Sequence, residues 1–272
     1  MRDSRWFRWL STGWGDRAFR IYFVAYLLYV LFPLAVLVLY AFHSTEYQIW
    51  PMEGLTLQWF RELLDDSKLL LALKNSVLIG LATMFFSTLI GGGFAYGLVR
   101  YTFRGKAFLE TLNILCIITY GVVSAVSVLL WFRMLGIHGG IWPTIVGHTT
   151  FIMPFAVMVI RDRLLNFDRE IEEAAMDLGA SRFRTFWDVT LPLIMPSVMA
   201  AGLFCFTISL GEFLLGFFLI GNQVTLPVYI YSLMRFTFTP AINAAAVLVI
   251  FFPTLALIVI AIFFRREAES LY

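Results

Sequence analysis

Few residues in this 272-residue chain could carry chemistry: three histidines, His43, His138 and His148, two cysteines, Cys116 and Cys205, and an acid inside an apolar run, Glu212. The histidines form no H-E-x-x-H zinc pair, and no G-x-S-x-G nucleophile elbow occurs. The cysteines both lie in apolar runs, outside any metal-ligand spacing, and read as packing residues. A nucleotide-binding G-x-x-x-x-G-K-[ST] loop is also missing: "FRGKAF" offers Gly105 and Lys106, but no upstream glycine at the required position and no hydroxyl after the lysine. Catalysis therefore has no visible constellation. Two features remain. One is Glu212 in "TISLGEFLLGFFLIGN", and the other is a charged, helix-prone stretch, "EEAAMDLGASRFRTFWDVTLP", Glu172 to Pro192, flanked by apolar runs of membrane length.

The elements that must position them are membrane helices. The chain is 60% hydrophobic and 14% charged, against the quarter charged of an ordinary soluble domain. Its net charge of +2 gives no footprint for nucleic acid. Six apolar runs reach the roughly 20 helical residues that cross a hydrocarbon core: 21–42, 77–99, 111–132, 141–160, 197–220 and 242–264. None alternates like a barrel strand, so an all-α membrane protein of six transmembrane helices is expected, with 1–272 as a single transmembrane domain. The first run follows five arginines, as a secretory signal would. Its apolar core is too long for one and no small-residue cleavage site follows, so it should stay attached.

Basic residues orient the bundle. With the N-terminus inside, the inner segments hold Arg2, Arg5, Arg8, Arg17, Arg20, Arg100, Arg104, Lys106, Arg161, Arg163, Arg169, Arg182, Arg184, Arg265 and Arg266. The outer segments hold only Arg61, Lys68, Lys74, Arg133 and Arg235. The positive-inside rule then places both termini in the cytoplasm. Outside, "EGLTLQWFRELLDDSKLLLALKNS" carries Leu57, Phe60 and Leu64 at helical spacing, an amphipathic helix that either caps the bundle or meets a soluble partner.

The inner loop 161–196 reads as a helical hairpin. Asp168 is an N-cap, and Glu170, Glu172 and Glu173 favour the positive end of the helix dipole. Ile171, Ala174, Ala175 and Leu178 make one face, small enough in its centre for another helix to approach. Gly179 stops the helix, and Ser181 caps a second one with Phe183, Phe186, Trp187 and Thr190 on one side, ended by Pro192.

"EAAMDLGASRFRTFWDVTLP" closely resembles the EAA loop of permease subunits in binding-protein-dependent ABC importers: E-A-A, three residues, G, a hydrophobic position, then I/V-x-L-P. Glu173, Ala174, Ala175, Gly179, Ala180, Phe183, Phe186, Val189, Leu191 and Pro192 occupy those positions without a gap. "GLTLQWFRELL" and "LPVYIYSLMRFTFTPAINA" are similar to the spermidine/putrescine branch of that family. The resemblance implies a type I importer permease fold with a cytoplasmic coupling helix, in the bacterial inner membrane. It implies a homologous second permease, a dimer of ATPase subunits that bind ATP and Mg, and a periplasmic or extracellular substrate-binding protein. No cofactor is expected in this chain. Gly179, Ala180 and Ser181 would form the turn entering the ATPase groove, with Phe183 and Phe186 as apolar anchors and Glu172 and Glu173 adding charge at the contact.

Glu212, as intramembrane charge, is a candidate for the substrate path, where it would attract a cation such as a polyamine. Equally, it could bond a neighbouring helix or backbone freed near Gly211. His148 could bridge two helices or bind a ligand. Tyr120 and Trp131 could line the path by cation–π contact, although Trp131 and Trp142 sit at span ends, where aromatic belts form. Pro143 and Pro154 suggest kinks in the fourth span, and Gly91, Gly92, Gly93 and Gly97 suggest close helix packing in the second. The resemblance points first to a polyamine of the spermidine/putrescine kind as cargo, with an amino acid, opine or aminophosphonate as the alternative. An ion-coupled transporter using Glu212 is the other reading of the chemistry; the lack of an inverted repeat counts against it.

Overall fold

The computed structural model describes residues 13–45, 52–119, 121–236 and 240–251, with 254–255 and 258. In chain order its helices are α1 (Gly13–Ala41), α2 (Gln58–Asp65), α3 (Ser67–Arg100), α4 (Lys106–Ile118), α5 (Val122–Met134), α6 (Ile141–Leu165), α7 (Arg169–Asp177), α8 (Arg182–Thr185), α9 (Leu191–Gly211), α10 (Leu214–Leu219), α11 (Leu226–Phe236) and α12 (Pro240–Phe251). A π-helical turn, Phe186–Thr190, joins α8 to α9. Among the described residues four helices are long and apolar enough to cross a membrane, or five crossings if α4 and α5 make one bent span. The first, second and fourth expected spans are α1, α3 and α6. The sixth, 242–264, is described only in its first part, as α12; the remainder lies largely outside the described residues.

Two expected spans are broken. The third, 111–132, is α4 and α5, bent by 107°. Apolar composition sets how much chain can be immersed, but Gly121, at φ +129°, lets the backbone turn where no side chain opposes it. The Ser124 hydroxyl donates to the Thr119 carbonyl at this break, as backbone freed within a membrane requires. The fifth, 197–220, ends as a helix at Gly211, runs through extended backbone at Glu212, and resumes as α10.

The chain divides into two compact units, Met1–Leu63 with Thr237–Val247 and Leu64–Phe236 with Leu248–Tyr272. In the first, α1 is apolar all round and its large side chains from Phe19 to Leu34 are exposed, as lipid contact demands. The expected amphipathic helix α2 does form, but on a different face from the one expected. Leu57 and Leu64 are exposed, whereas Trp59 and Leu63 are buried, one helical turn apart. The Trp59 indole sets that face by donating to the His43 carbonyl at 2.7 Å; Phe60 packs on Phe42 with ring centres 5.1 Å apart.

The second unit is built on α3, α6 and α9. Ala95, Leu98, Ile152, Ala156, Val157, Ile160, Ala201 and Cys205 form its core. Lipid gives helices little hydrophobic reason to associate, so close packing of small residues matters. A Cβ on Gly91 would lie 3.2 Å from that of Ala156, so Gly91 marks the packing contact, whereas Gly93 and Gly97 face open space. The helix α6 runs unbroken through Pro154, and Pro143 sits in its first turn, where the missing N–H has no helical partner anyway.

Behind α10 the backbone closes on itself. Gly140 N–H donates to the Leu219 carbonyl at 2.8 Å, and Gly221, at φ +66°, would bring a Cβ within 2.6 Å of the Gly139 oxygen. Gly221→Ala is therefore expected to destabilise the protein by about 2 kcal/mol or more, from the positive φ and the backbone clash together. Gly93→Ala, whose Cβ meets nothing within 4 Å, is expected to be neutral or mildly stabilising. Thermal unfolding of the detergent-solubilised variants checks both.

Candidate functional site: a helical hairpin and a broken fifth span

The hairpin forms from local signals. Asp168 accepts from the Glu170 N–H at 3.0 Å and starts α7. The helix closes at Gly179, φ +91°, with Ala180 N–H bonded to the Ala175 carbonyl at 3.1 Å. Ser181 Oγ then accepts from Arg184 N–H at 3.3 Å to start α8. Exposed ion pairs, Arg169 with Glu173 at 3.1 Å and Arg184 with Asp188 at 3.2 Å, run along the outside. The expected small-residue face is open: Ile171, Ala174 and Leu178 are exposed and Ala175 half-buried. At the turn, Gly179 and Ser181 are exposed and Ala180 half-buried.

Three expectations change here. Pro192 does not end the second helix. A proline at this position lacks the N–H that would bond back to residue 188, and the π-helical turn absorbs the defect by bonding Leu191 N–H to the Phe186 carbonyl, one residue further back than in an α-helix. Helix α8 thus continues into α9 as one run, Arg182–Gly211. The aromatic residues also part company. Phe183 is 75% and Trp187 51% exposed, whereas Phe186 turns inward against Tyr96, ring centres 4.8 Å apart. Finally, Glu172 does not project charge outward. It is 6% exposed, ion-paired with Arg100 at 2.9 Å, and accepts from the Thr190 hydroxyl at 2.7 Å. Glu173 carries the exposed carboxylate instead.

At the break in the fifth span, Glu212 is buried, and its Oε1 accepts from Leu215 N–H at 3.0 Å, capping α10. Of the two readings of Glu212, the bond to freed backbone is thus realised. Trp131 is 57% exposed, while its neighbour Phe132 turns in to pack with Leu215 and Leu219. Tyr120 lies outside the described residues. His148 Nδ1 meets Ser209 Oγ at 2.7 Å, joining α6 to α9, which favours the helix-bridging reading.

Sequence reasoning missed a polar fastening at the N-terminal end of α3. Asn75 donates to the Val224 carbonyl at 2.9 Å, Leu226 N–H donates to Ser76 Oγ at 2.8 Å, and the Tyr229 hydroxyl donates to Asp66, which also caps α3 through Lys68 N–H at 2.8 Å. The only signal was local: an acid just before an apolar run is a helix-start pattern. Burial opposes the Asp66 charge, but the Tyr229 hydroxyl and the Lys68 and Leu69 N–H groups outweigh it and hold the carboxyl below its usual 3.8. Burial, and then the Asp66 carboxylate, push the Tyr229 phenol above its usual 10.0. A lowered acid stabilises above its ordinary value and is lost only as pH falls below it; a raised phenol keeps its proton beyond 10.0. Amide-exchange protection of α11 is therefore expected to stay flat from about pH 5 to about pH 9 and to drop in Asp66→Ala, which removes the acceptor of the Tyr229 hydroxyl and about 1 kcal/mol of capping from α3.

The family described as "Binding-protein-dependent transport system inner membrane component" matches residues 9–268. The chain is 35% identical over 224 residues to the spermidine/putrescine transport system permease protein PotC of Escherichia coli K12, covering 82% of this chain and 84% of that protein. It is 34% identical over 228 residues to the putrescine transport system permease protein PotI of the same organism, covering 80% of each. Among solved structures, a bacterial ABC transporter involved in the import of the acidic polysaccharide alginate aligns over the whole of both chains at 16% identity, with a TM-score of 0.68. The fold is that of an ABC importer permease.

Proposed function

Because the chain belongs to the binding-protein-dependent transport system inner membrane component family, we propose that it is the translocation subunit of an ATP-driven importer of a polyamine of the spermidine or putrescine kind. The observation that carries the cargo is the 35% identity to PotC across most of both chains. In this reading all 272 residues act as one permease domain in the bacterial inner membrane, with both termini cytoplasmic.

The chain supplies the path and partners supply the energy. A separate pair of ATPase subunits binds ATP and Mg, a homologous permease completes the pore, and a soluble binding protein delivers the solute. The hairpin gives the ATPase a place to act. Leu178, Phe183 and Trp187 are large apolar groups exposed on a charged segment, and burying them against a partner is favourable at about 25 cal/mol per Å². Gly179, Ala180 and Ser181 form its tip, and Glu173 supplies surface charge. Glu172 acts from inside.

The test is reconstitution of this subunit with its permease partner, ATPase and binding protein in proteoliposomes. ATP-dependent uptake of labelled spermidine or putrescine, competed by the other and not by amino acids, is the expected result. Uptake by this chain alone, collapsed by an uncoupler and indifferent to ATP, would instead favour ion coupling.

A further inference from the structure

The helix α3 is unusual in being held by polar groups at both ends. It has 34 residues, which at 1.5 Å each makes it about 50 Å long, more than the bilayer core requires. At its inner end is Arg100, its last residue, paired with Glu172 of the hairpin, which in turn accepts from Thr190 in the π-helical turn. At its outer end Asp66, Asn75 and Ser76 hold α11 and the strand of chain leading into it.

The inner joint is buried: the side chains of Arg100 and Glu172 are 11% and 8% exposed. Solvent screens such a pair little, and separating it would strand a charge in a low-dielectric site. The Arg100 guanidinium also lies over the Phe167 ring, 5.7 Å from its centre, which fixes its direction. The hairpin is covalently continuous with α6 and α9, but nothing covalent near it ties it to α3. Phe186 against Tyr96 supplies apolar contact there; the charge pair adds an electrostatic link at 2.9 Å.

We propose that Arg100, Glu172 and Thr190 form a joint that makes α3 follow the hairpin, and that α3 carries this displacement to α11 on the outer face. Glu172 and Arg100 are thus positioning residues for transport, and α11 is the element whose placement reports the ATPase state on the side where solute arrives. The inference rests on the reading of the hairpin as the ATPase contact.

The test uses the full reconstituted importer in nanodiscs. An environment-sensitive fluorophore is placed on Met234→Cys, an exposed position of α11, in a Cys116→Ala, Cys205→Ala background. The signal is compared between the nucleotide-free and the ATP-plus-vanadate states. The wild-type joint is expected to give a clear change. Arg100→Met and Glu172→Gln should each reduce that change by about fivefold or more, and the charge swap Arg100→Glu with Glu172→Arg should restore at least about half of it. Thr190→Val, which removes one hydroxyl, is the variant to read if the charge variants fail to assemble with the ATPase; a partial loss is expected. Tyr229→Phe should reduce the signal from the outer end while the ATPase still co-purifies. A full signal in the single variants, or in Thr190→Val where those do not assemble, overturns the joint. No ATP-dependent signal at Met234→Cys in an importer that hydrolyses ATP and takes up solute overturns the carriage to α11, whereas failure of ATP to drive any uptake overturns the importer reading instead.

Discussion

Gly179→Asp is expected to leave the protein inserted and folded yet lower ATP-driven uptake by roughly 30- to 150-fold, equivalent to about 2–3 kcal/mol at the ATPase contact. The two halves of that expectation come from different observations. A Cβ at Gly179 would meet nothing within 4 Å, so the change creates no clash inside the chain. Its φ of +91° disfavours ordinary side chains, but aspartate and asparagine tolerate this region better than most, at a cost of about 1 kcal/mol. What remains is a new carboxylate at the tip of the surface proposed to enter the ATPase. Gly179→Asn separates size from charge and should lose less. The check is uptake and ATPase activity measured on the same proteoliposomes: hydrolysis that continues without uptake is the expected pattern, and normal uptake by Gly179→Asp would remove the tip from the coupling contact.

The second large effect is expected at Glu212. Its carboxylate caps α10 through Leu215 N–H, so Glu212→Gln keeps an acceptor for that bond and removes only the charge. If the charge draws a cationic solute into the bundle, KM for the polyamine should rise about tenfold with assembly unaffected. Glu212→Ala removes the acceptor too, and should lose about 1 kcal/mol of stability besides. Unchanged uptake in Glu212→Gln would confine Glu212 to holding the break in the fifth span. The paired variants are needed because the same two oxygens stand in both explanations.

Those features were unequally legible from the amino-acid order. The hairpin could be read because its signals are local: Asp168 and Ser181 cap within three residues, and Gly179 supplies the one conformation the turn needs. That α3 and α6 are long apolar helices followed from apolar length, although α3 begins at Ser67 where the expected span begins at 77, and α6 runs on to Leu165 past the expected 160. Continuity did not, since the bend at Gly121 and the break at Glu212 depend on backbone bonds, not on composition. Pro192 misled because a proline taken alone is a helix stop, whereas a neighbouring turn with one extra residue removes the conflict. The pairs Arg100 with Glu172 and Asp66 with Tyr229 were invisible for a simpler reason. Each joins residues that are far apart in sequence, and no periodicity reports a partner.

The π-helical turn has an effect on phase. An α-helix advances about 100° per residue, so one residue extra in a single turn offsets everything before it from everything after it by about that angle. Phe183 and Trp187 therefore point away from the unit while Phe186 and Thr190 point into it, and α9 keeps its own lipid and core stripes. The orientation of Phe183 and Trp187 and the orientation of the membrane span are thus set independently on one continuous rod. Moving or losing that residue would rotate the exposed aromatic pair without repacking Ile194, Ala201 and Cys205 in the core.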